Sequence, residues 1–432
     1  MKLAGVRLLF VHQNFPGQYR YLASHLARQR GNEVLALGEK KNLRLPLPGI
    51  KTFGYGLAED AGGFEAPVVR AIKRGRVVAA AALQMRKAGF RPDVVCAHIG
   101  WGEALFLKDV FPDAKLLLYC EFFYRAHGGD MGFDPEFPAS AMSLLRLRVM
   151  NAPLLMSLDV ADWGMVPTRW QQSQFAAAQR ARMSVVHDGV DTDFVSPRKT
   201  TNSEEIVTYV ARNLEPYRGF HIFMRAIPEI QKRRPNARIV IVGGDEVSYS
   251  ARLPEGETYR ARLLRELDGK IDLSRVTFTG RIPYGQYLEL LRRSSVHVYL
   301  TYPFVLSWSL LEAMAAGCLV VGSRTPPVEE VIRDGQNGYL VDFFSPEGIA
   351  AKVDEVLSRN EEPVRQQARQ TIIDRYDLRR VCLPAQLKLV ASLQRQRADA
   401  GAAADVEHLP GDEAGLAVGK EQHRAGDVVG LP

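Results

Sequence analysis

Short apolar runs rich in β-branched residues alternate along the chain with longer stretches whose apolar side chains recur every three to four positions. The first pattern predicts strands and the second helices. In the first half, strands are expected at 6–11, 34–37, 93–98, 115–119, 164–168 and 184–186, and helices at 20–30, 141–158 and 169–179. The first strand, first helix and second strand make a βαβ unit, closed by Gly31-Asn32 at the helix end. A polar run at 197–205 reads as a linker. Beyond it come strands at 206–210, 239–242, 276–279, 296–300, 319–321 and 339–341, with helices at 220–234, 259–267, 309–316, 346–360, 362–376 and 378–395. This alternation predicts an α/β protein with parallel sheets in two domains, 1–196 and 206–377, followed by a helix at 378–397. Residues 398–432 are Ala/Gly-rich without periodicity and are expected to be disordered.

The loop between the strand at 296–300 and the next helix organises the second half. Ser309 and Glu312 form an S-x-x-E capping box, and Gly317 stands where a helix ends. A loop that leaves the carboxyl end of a parallel strand and enters a helix N-terminus is a ligand site, and its free N–H groups favour an anion. Residues 302–308 are therefore a candidate phosphate cradle.

Charge sharpens this picture only in part. A net charge of +7 suits a polyanionic substrate, an acidic membrane surface or nucleic acid. Residues 67–91 carry seven basic side chains and no acidic one. On a helical wheel Arg76 and Arg86 fall among Val68, Ile72 and Leu83, and Gly75 interrupts the middle, so a solvated basic face is favoured over a membrane-lying helix. No apolar run approaches the ~20 residues a membrane span needs. The first eleven residues read as a strand, not a signal peptide. Cys96, Cys120, Cys318 and Cys382 form no C-x-x-C pair, which argues against zinc or a disulfide framework and makes a reducing cytoplasm the default.

Leu311-Glu312-Ala313-Met314-Ala315-Ala316-Gly317, then Val320-Val321-Gly322-Ser323 and Glu330 to Val341, resemble the nucleotide-sugar-binding half of family 4 glycosyltransferases of GT-B fold. His12-Gln13-Asn14-Phe15-Pro16-Gly17-Gln18 is similar to the opening segment of one subgroup, and Asp188-Gly189-Val190-Asp191-Thr192-Asp193-Phe194 to the family's G-V-D-x-x-F signature. The resemblance implies two facing Rossmann-like domains with a ligand cleft between them. The first would be the acceptor side and the second would hold a nucleoside diphosphate sugar, with the helix at 378–397 crossing back. It also assigns roles. Glu312 would meet the ribose hydroxyls as the second glutamate of an E-x7-E pattern, and Gly17 would admit backbone close to the donor diphosphate. Arg212 and Arg218, standing for the family's R-x5-K, would neutralise the diphosphate, and the loop at Arg281 would pack on the base. His98, at a strand end, would touch donor sugar or acceptor, and Glu121 is a weaker candidate for the same crevice. The first E-x7-E glutamate is replaced by Phe304, and the glycine-rich run after it by Val305-Leu306-Ser307, so the sugar end departs from the pattern.

The expected activity is transfer of a hexosyl unit to an acceptor hydroxyl, without a cofactor or metal; the D-x-D of Asp191 and Asp193 is explained by its segment. The resemblance implies retention of configuration. The acceptor would be a glycan, a lipid-linked molecule or a small molecule, with nucleic acid excluded and peripheral contact with an anionic membrane left open. A sugar-nucleotide epimerase of the same fold and a catalytically silent sugar-nucleotide-binding protein remain as alternatives, the latter encouraged by Phe304.

Overall fold

The computed structural model describes residues 3–43, 46–57, 62–198 and 204–406. Seven parallel strands form one sheet: β1 (Arg7–Val11), β2 (Glu33–Glu39), β3 (Lys51–Tyr55), β4 (Val94–His98), β5 (Lys115–Tyr119), β6 (Trp163–Val166) and β7 (Met183–Val185), in the order β3-β2-β1-β4-β5-β6-β7. Six more form a second: β8 (Ile206–Asn213), β9 (Arg238–Gly244), β10 (Val276–Gly280), β11 (Val296–Tyr299), β12 (Val320–Ser323) and β13 (Tyr339–Val341), ordered β10-β9-β8-β11-β12-β13 and again parallel. Two Rossmann-like domains result. Edge strand β3 has no counterpart among the predicted strands, because its five residues include a lysine and a glycine.

The helices that matter below are α1 (Arg20–Ala27), α2 (Ala66–Lys87), α3 (Ala141–Val160), α4 (Phe220–Arg233), α5 (Tyr284–Arg293), α6 (Trp308–Ala315) and α7 (Leu383–Val406). Both faces of the first sheet are covered, which is why its strands read as nearly continuous apolar runs. On β1, Leu8 and Phe10 join a core with Leu22 and Leu26 of α1 and Leu387 and Val390 of α7. Leu9 and Val11 face the other way, against Val78 and Met85 of α2 and Leu154 and Leu158 of α3. Thus α7, late in the chain, packs beneath the first sheet. It also runs to Val406, past the expected boundary at 397, because 398–406 holds five alanines and alanine propagates helix without an apolar stripe. The rest of the expected disordered tail, 407–432, and 199–203 of the linker lie outside the described residues. Gly75 does not interrupt α2. A side chain there would stand 2.8 Å from the Gly102 carbonyl oxygen, so the glycine allows a close crossing.

The segment between β5 and α3 reaches from the first domain onto the second. Asp134 accepts hydrogen bonds from Tyr302 Oη (2.6 Å) and His221 Nε2 (2.8 Å), and Asp130 accepts one from Tyr217 Oη (2.9 Å). Arg225 of α4 grips Glu136 through two bonds of 2.6 and 3.0 Å. Burial pushes the Asp134 carboxyl up, but the bonds from His221 and Tyr302 outweigh it and hold it below the usual range.

Candidate active site

At the carboxyl ends of β8 and β9 the second domain opens into a cavity of about 320 Å³, lined among others by Arg212, Gly243, Arg281, Tyr284, Tyr287, Ser307 and Ser309. Arg212, the penultimate residue of β8, is exposed, and its guanidinium makes no hydrogen bond or ion pair among the described residues. Arg281 is tethered by Asn213 Oδ1 and Glu246 Oε2, both at 2.7 Å. The cavity thus holds one unpaired cation and one paired one, at a strand-end position suited to anions.

Glu312 stands behind this cavity on α6. Tyr284 Oη donates to its Oε1 (2.6 Å) and Tyr287 Oη to its Oε2 (2.8 Å), both from α5. Burial raises its pKa, against the pull of the two tyrosine bonds. Each carboxylate oxygen carries two lone pairs, so one acceptor site on each remains for a ligand. The expected capping box is not formed. Ser307 caps α6 through its hydroxyl, which accepts from Ser309 N–H (3.3 Å), because the tyrosines draw Glu312 away from the helix start. The cradle is also narrower than expected. Ser307 N–H donates to Tyr299 Oη (2.8 Å) and Tyr302 N–H to the Tyr217 carbonyl (3.0 Å), and Pro303 has no N–H, so those of Phe304, Val305, Leu306 and Trp308 make no hydrogen bond among the described residues.

Arg218 is placed differently from Arg212. Its Nη1 donates to Thr301 Oγ1 and to the Val305 carbonyl, each at 2.9 Å, and its guanidinium lies 5.7 Å from the centre of the Phe304 ring. The next residue, Gly219, has φ +68°, and a side chain there would fall 2.4 Å from Leu300 Cβ, so only glycine permits the turn that delivers Arg218. Phe304 itself is 7% exposed, with its ring 4.7 Å from Tyr249, 4.8 Å from Phe122 of the first domain and 5.4 Å from Tyr217. Buried Glu215 brings Tyr249 there: its Oε2 accepts three backbone N–H bonds from Ser248, Tyr249 and Ser250 at 3.0–3.1 Å.

The first domain contributes a chain of partly buried polar contacts. Asn14 N–H donates to His12 Nδ1 (2.9 Å), which puts the His12 proton on Nε2, facing Gln18 Oε1 at 2.8 Å. Gln18 Nε2 donates to Glu121 Oε1 (3.0 Å), and Glu121 Oε2 lies 3.3 Å from His98 Nε2. His98 Nδ1 accepts from Gly100 N–H (2.9 Å), and its ring stacks on Trp101 at 4.1 Å. Burial, then the neighbouring His98, lowers His12 to about 3, so His12 is neutral at pH 7. Burial pushes Glu121 up, but His98 beside it and the Gln18 amide outweigh it and hold it below the usual range. His98 is 1% exposed, so it lies beneath the cleft surface with Glu121 and Gln18 above it. Gly17 has φ +46°, and a side chain there would sit 2.7 Å from the His12 ring. The charge of Glu312 reaches Tyr21 and that of Arg20 reaches Tyr284, which sets the start of α1 opposite the cavity.

The domains also meet at Asp188, which accepts from Tyr119 Oη (2.8 Å) and from Trp308 Nε1 of α6 (2.9 Å). Burial raises this carboxyl to about 7. Asp191 pairs with Arg379 at 2.8 Å, and Asp193 with Arg379 and Arg380 at 3.4 and 3.3 Å, so the D-x-D carboxylates serve the approach to α7. The sequence reading missed Tyr284, Tyr287, Gln18 and Glu215. The i, i+3 spacing of the two tyrosines was the one available signal, in a stretch for which no helix was predicted.

Residues 30–195 match the model of the glycosyl transferase family 4 group and 191–372 that of glycosyl transferases group 1. The two matches run head to tail over residues 30–372, so each half of the chain is similar to a glycosyltransferase family model, and the two facing Rossmann-like domains have the GT-B fold. Among curated proteins, a D-inositol 3-phosphate glycosyltransferase from Segniliparus rotundus is 27% identical over 198 residues, 44% of this chain and 42% of that protein. Spore coat protein SA from Bacillus subtilis is 27% identical over 212 residues, 45% and 54% of the two chains. The chain therefore spans about half the length of these relatives. Among solved structures, sucrose-phosphate synthase from Thermosynechococcus elongatus aligns with a TM-score of 0.66 at 18% identity over 90% of this chain and all of that one. Anabaena Alr3699/HepE in complex with UDP and glucose aligns with a TM-score of 0.62 at 15% identity over 92% of this chain and all of that one.

Proposed function

We propose that the protein transfers a hexosyl unit from a nucleoside diphosphate sugar to an acceptor hydroxyl, with retention and without a metal. The observation that carries this reading is the cavity itself: Glu312, held by two tyrosines, stands behind it, and the unpaired Arg212 lines it. In this reading the two ribose hydroxyls donate to the free lone pairs of Glu312. Arg281 flanks the base, and Arg212 and Arg218 offset the charge that grows on the departing diphosphate. The bond from sugar C1 to phosphate oxygen breaks while C1 bonds to the acceptor oxygen on the same face, and the acceptor proton passes to the leaving phosphate. The backbone around Gly17 approaches the diphosphate from the first domain, and His98, oriented by Glu121, meets the sugar or acceptor once the Gln18 loop yields. The UDP bound by the Anabaena neighbour and the D-inositol 3-phosphate glycosyltransferase relatives support the donor class. The engagement of Asp191 and Asp193 by arginines supports metal independence.

A second reading rests on Phe304. Its burial under Phe122, Tyr217 and Tyr249 fills the place where a sugar-binding glutamate is expected, as a silent sugar-nucleotide binder would allow. A thermal-stability screen against nucleoside diphosphate sugars, followed by product analysis in EDTA, tests both. One donor should raise the melting temperature by mass action and be turned over with EDTA present. Stabilisation by none would refute both readings, and binding without product would leave the second. Activity lost in EDTA and restored by Mg²⁺ or Mn²⁺ would refute metal independence.

A further inference from the structure

Half of the sixteen large hydrophobic side chains exposed among the described residues lie on two helices, α2 and α3. These two pack against each other's flanks and cover the same face of the first sheet, so their outer surfaces look away from it together. Helix α3 is apolar on both sides. Leu147, Leu154 and Leu158 are buried, yet Met142, Leu145, Met156 and Val160 fall within about 60° of one another at 100° per residue and are all exposed. A helix apolar all round normally belongs inside a protein or a lipid phase, and an apolar stripe of this length marks a binding surface.

Charge selects the occupant. Arg146 and Arg148 flank the α3 stripe, and the outer face of α2 adds Arg70, Arg76 and Lys87; none of the five has an ion pair or hydrogen bond among the described residues. Exposed acidic residues on the two helices come down to Asp159. A second copy of this chain seated on the patch would bring five cations against five, whereas an anionic bilayer meets both the charge and the apolar stripe. We infer that the α2–α3 face docks the protein on membranes containing anionic lipid. The basic stretch at 67–91 lacks the apolar segregation a membrane-lying helix requires, and α3 supplies it from a neighbouring helix. The inference is independent of the reaction proposed above.

Flotation of the full chain with vesicles tests it. Binding to vesicles of phosphatidylcholine mixed with phosphatidylglycerol is expected, with little to phosphatidylcholine alone. Binding should fall at least about tenfold in the double variant Leu145→Asp, Met156→Asp and in the double variant Arg70→Glu, Arg76→Glu. All four side chains are exposed, so unchanged melting temperatures should show that both variants fold. The inference is overturned if the wild type does not float with anionic vesicles, if it binds both compositions equally, or if the variants bind as the wild type does. Self-association removed by the aspartates, with no vesicle binding, would instead assign the face to a second copy.

Discussion

The two ends of the second domain's site, only eight residues apart on one loop and helix, are built in opposite ways. At Glu312 a carboxylate is held in place by Tyr284 and Tyr287 beside an open cavity with an unpaired arginine. At Phe304 the polar group expected there is replaced by an aromatic cluster that reaches into the first domain. One end keeps the hydrogen-bonding capacity that a nucleotide needs, and the other has exchanged it for packing. If the proposed function holds, nucleotide binding and sugar selection are separable in this protein, with Glu312 and Arg212 governing the first and Phe304 the second.

The largest effect should come from Glu312→Ala. It removes both ribose acceptors and leaves the buried Tyr287 hydroxyl without a partner, so nucleoside diphosphate affinity should fall by about 3 kcal/mol or more, measured by titration calorimetry. The loss should be the same for every donor sugar tested. A loss that varied with the sugar would break the proposed separation.

Arg212→Ala should cost about 1.5–3 kcal/mol of donor affinity with no change in melting temperature, since its guanidinium holds nothing else in place. Arg218→Ala should lower both, because Thr301 and the Val305 carbonyl lose their donor as well. Affinity unchanged in both variants would remove the arginines from the site.

An effect on stability instead of affinity is expected at Asp188, whose bond to Trp308 Nε1 anchors the first residue of α6. The folded carboxyl keeps its proton up to about pH 7, against an ordinary value of 3.8. Between those values the folded state binds the extra proton, so this group's contribution makes stability fall as pH rises, by up to roughly 1.4 kcal/mol per pH unit, and level off above 7. Asp188→Asn can keep both hydrogen bonds without the charge. It should abolish that decline and leave the variant more stable than the wild type at pH 8, read as melting temperature against pH. An unchanged slope would show that Asp188 is ionised throughout.

Much of the fold was legible because parallel strands covered on both faces announce themselves as short apolar runs, as at 93–98 and 115–119. Lys51–Tyr55 was not, since an edge strand with one exposed side and a glycine carries no such run. At the site, sequence singled out the residues that follow strands, Arg212 and Arg218, and the helix residue Glu312. It could not show that Arg212 is unpaired while Arg218 is committed to Val305, which depends on a carbonyl 87 residues away. Glu312 as a cap and Glu312 as a tyrosine-held carboxylate have the same sequence, and only the packing of α5 beside α6 separates them. His98 was found by its place at a strand end, but its burial under Gln18 and Glu121 comes from a contact spanning 103 residues. The anchoring of Asp134 by His221 and Tyr302 across the domains carries no local signal at all.

The most direct measurement compares wild type and Phe304→Glu for nucleotide affinity and for glycosyl product with the same panel of donors. An active wild type is expected, with a variant whose preferred donor sugar changes while its affinity for the nucleoside diphosphate stays within a few-fold. A wild type that binds donor but forms no product, together with a Phe304→Glu variant that gains transfer, would contradict this expectation and establish the aromatic cluster as the feature that silences the site.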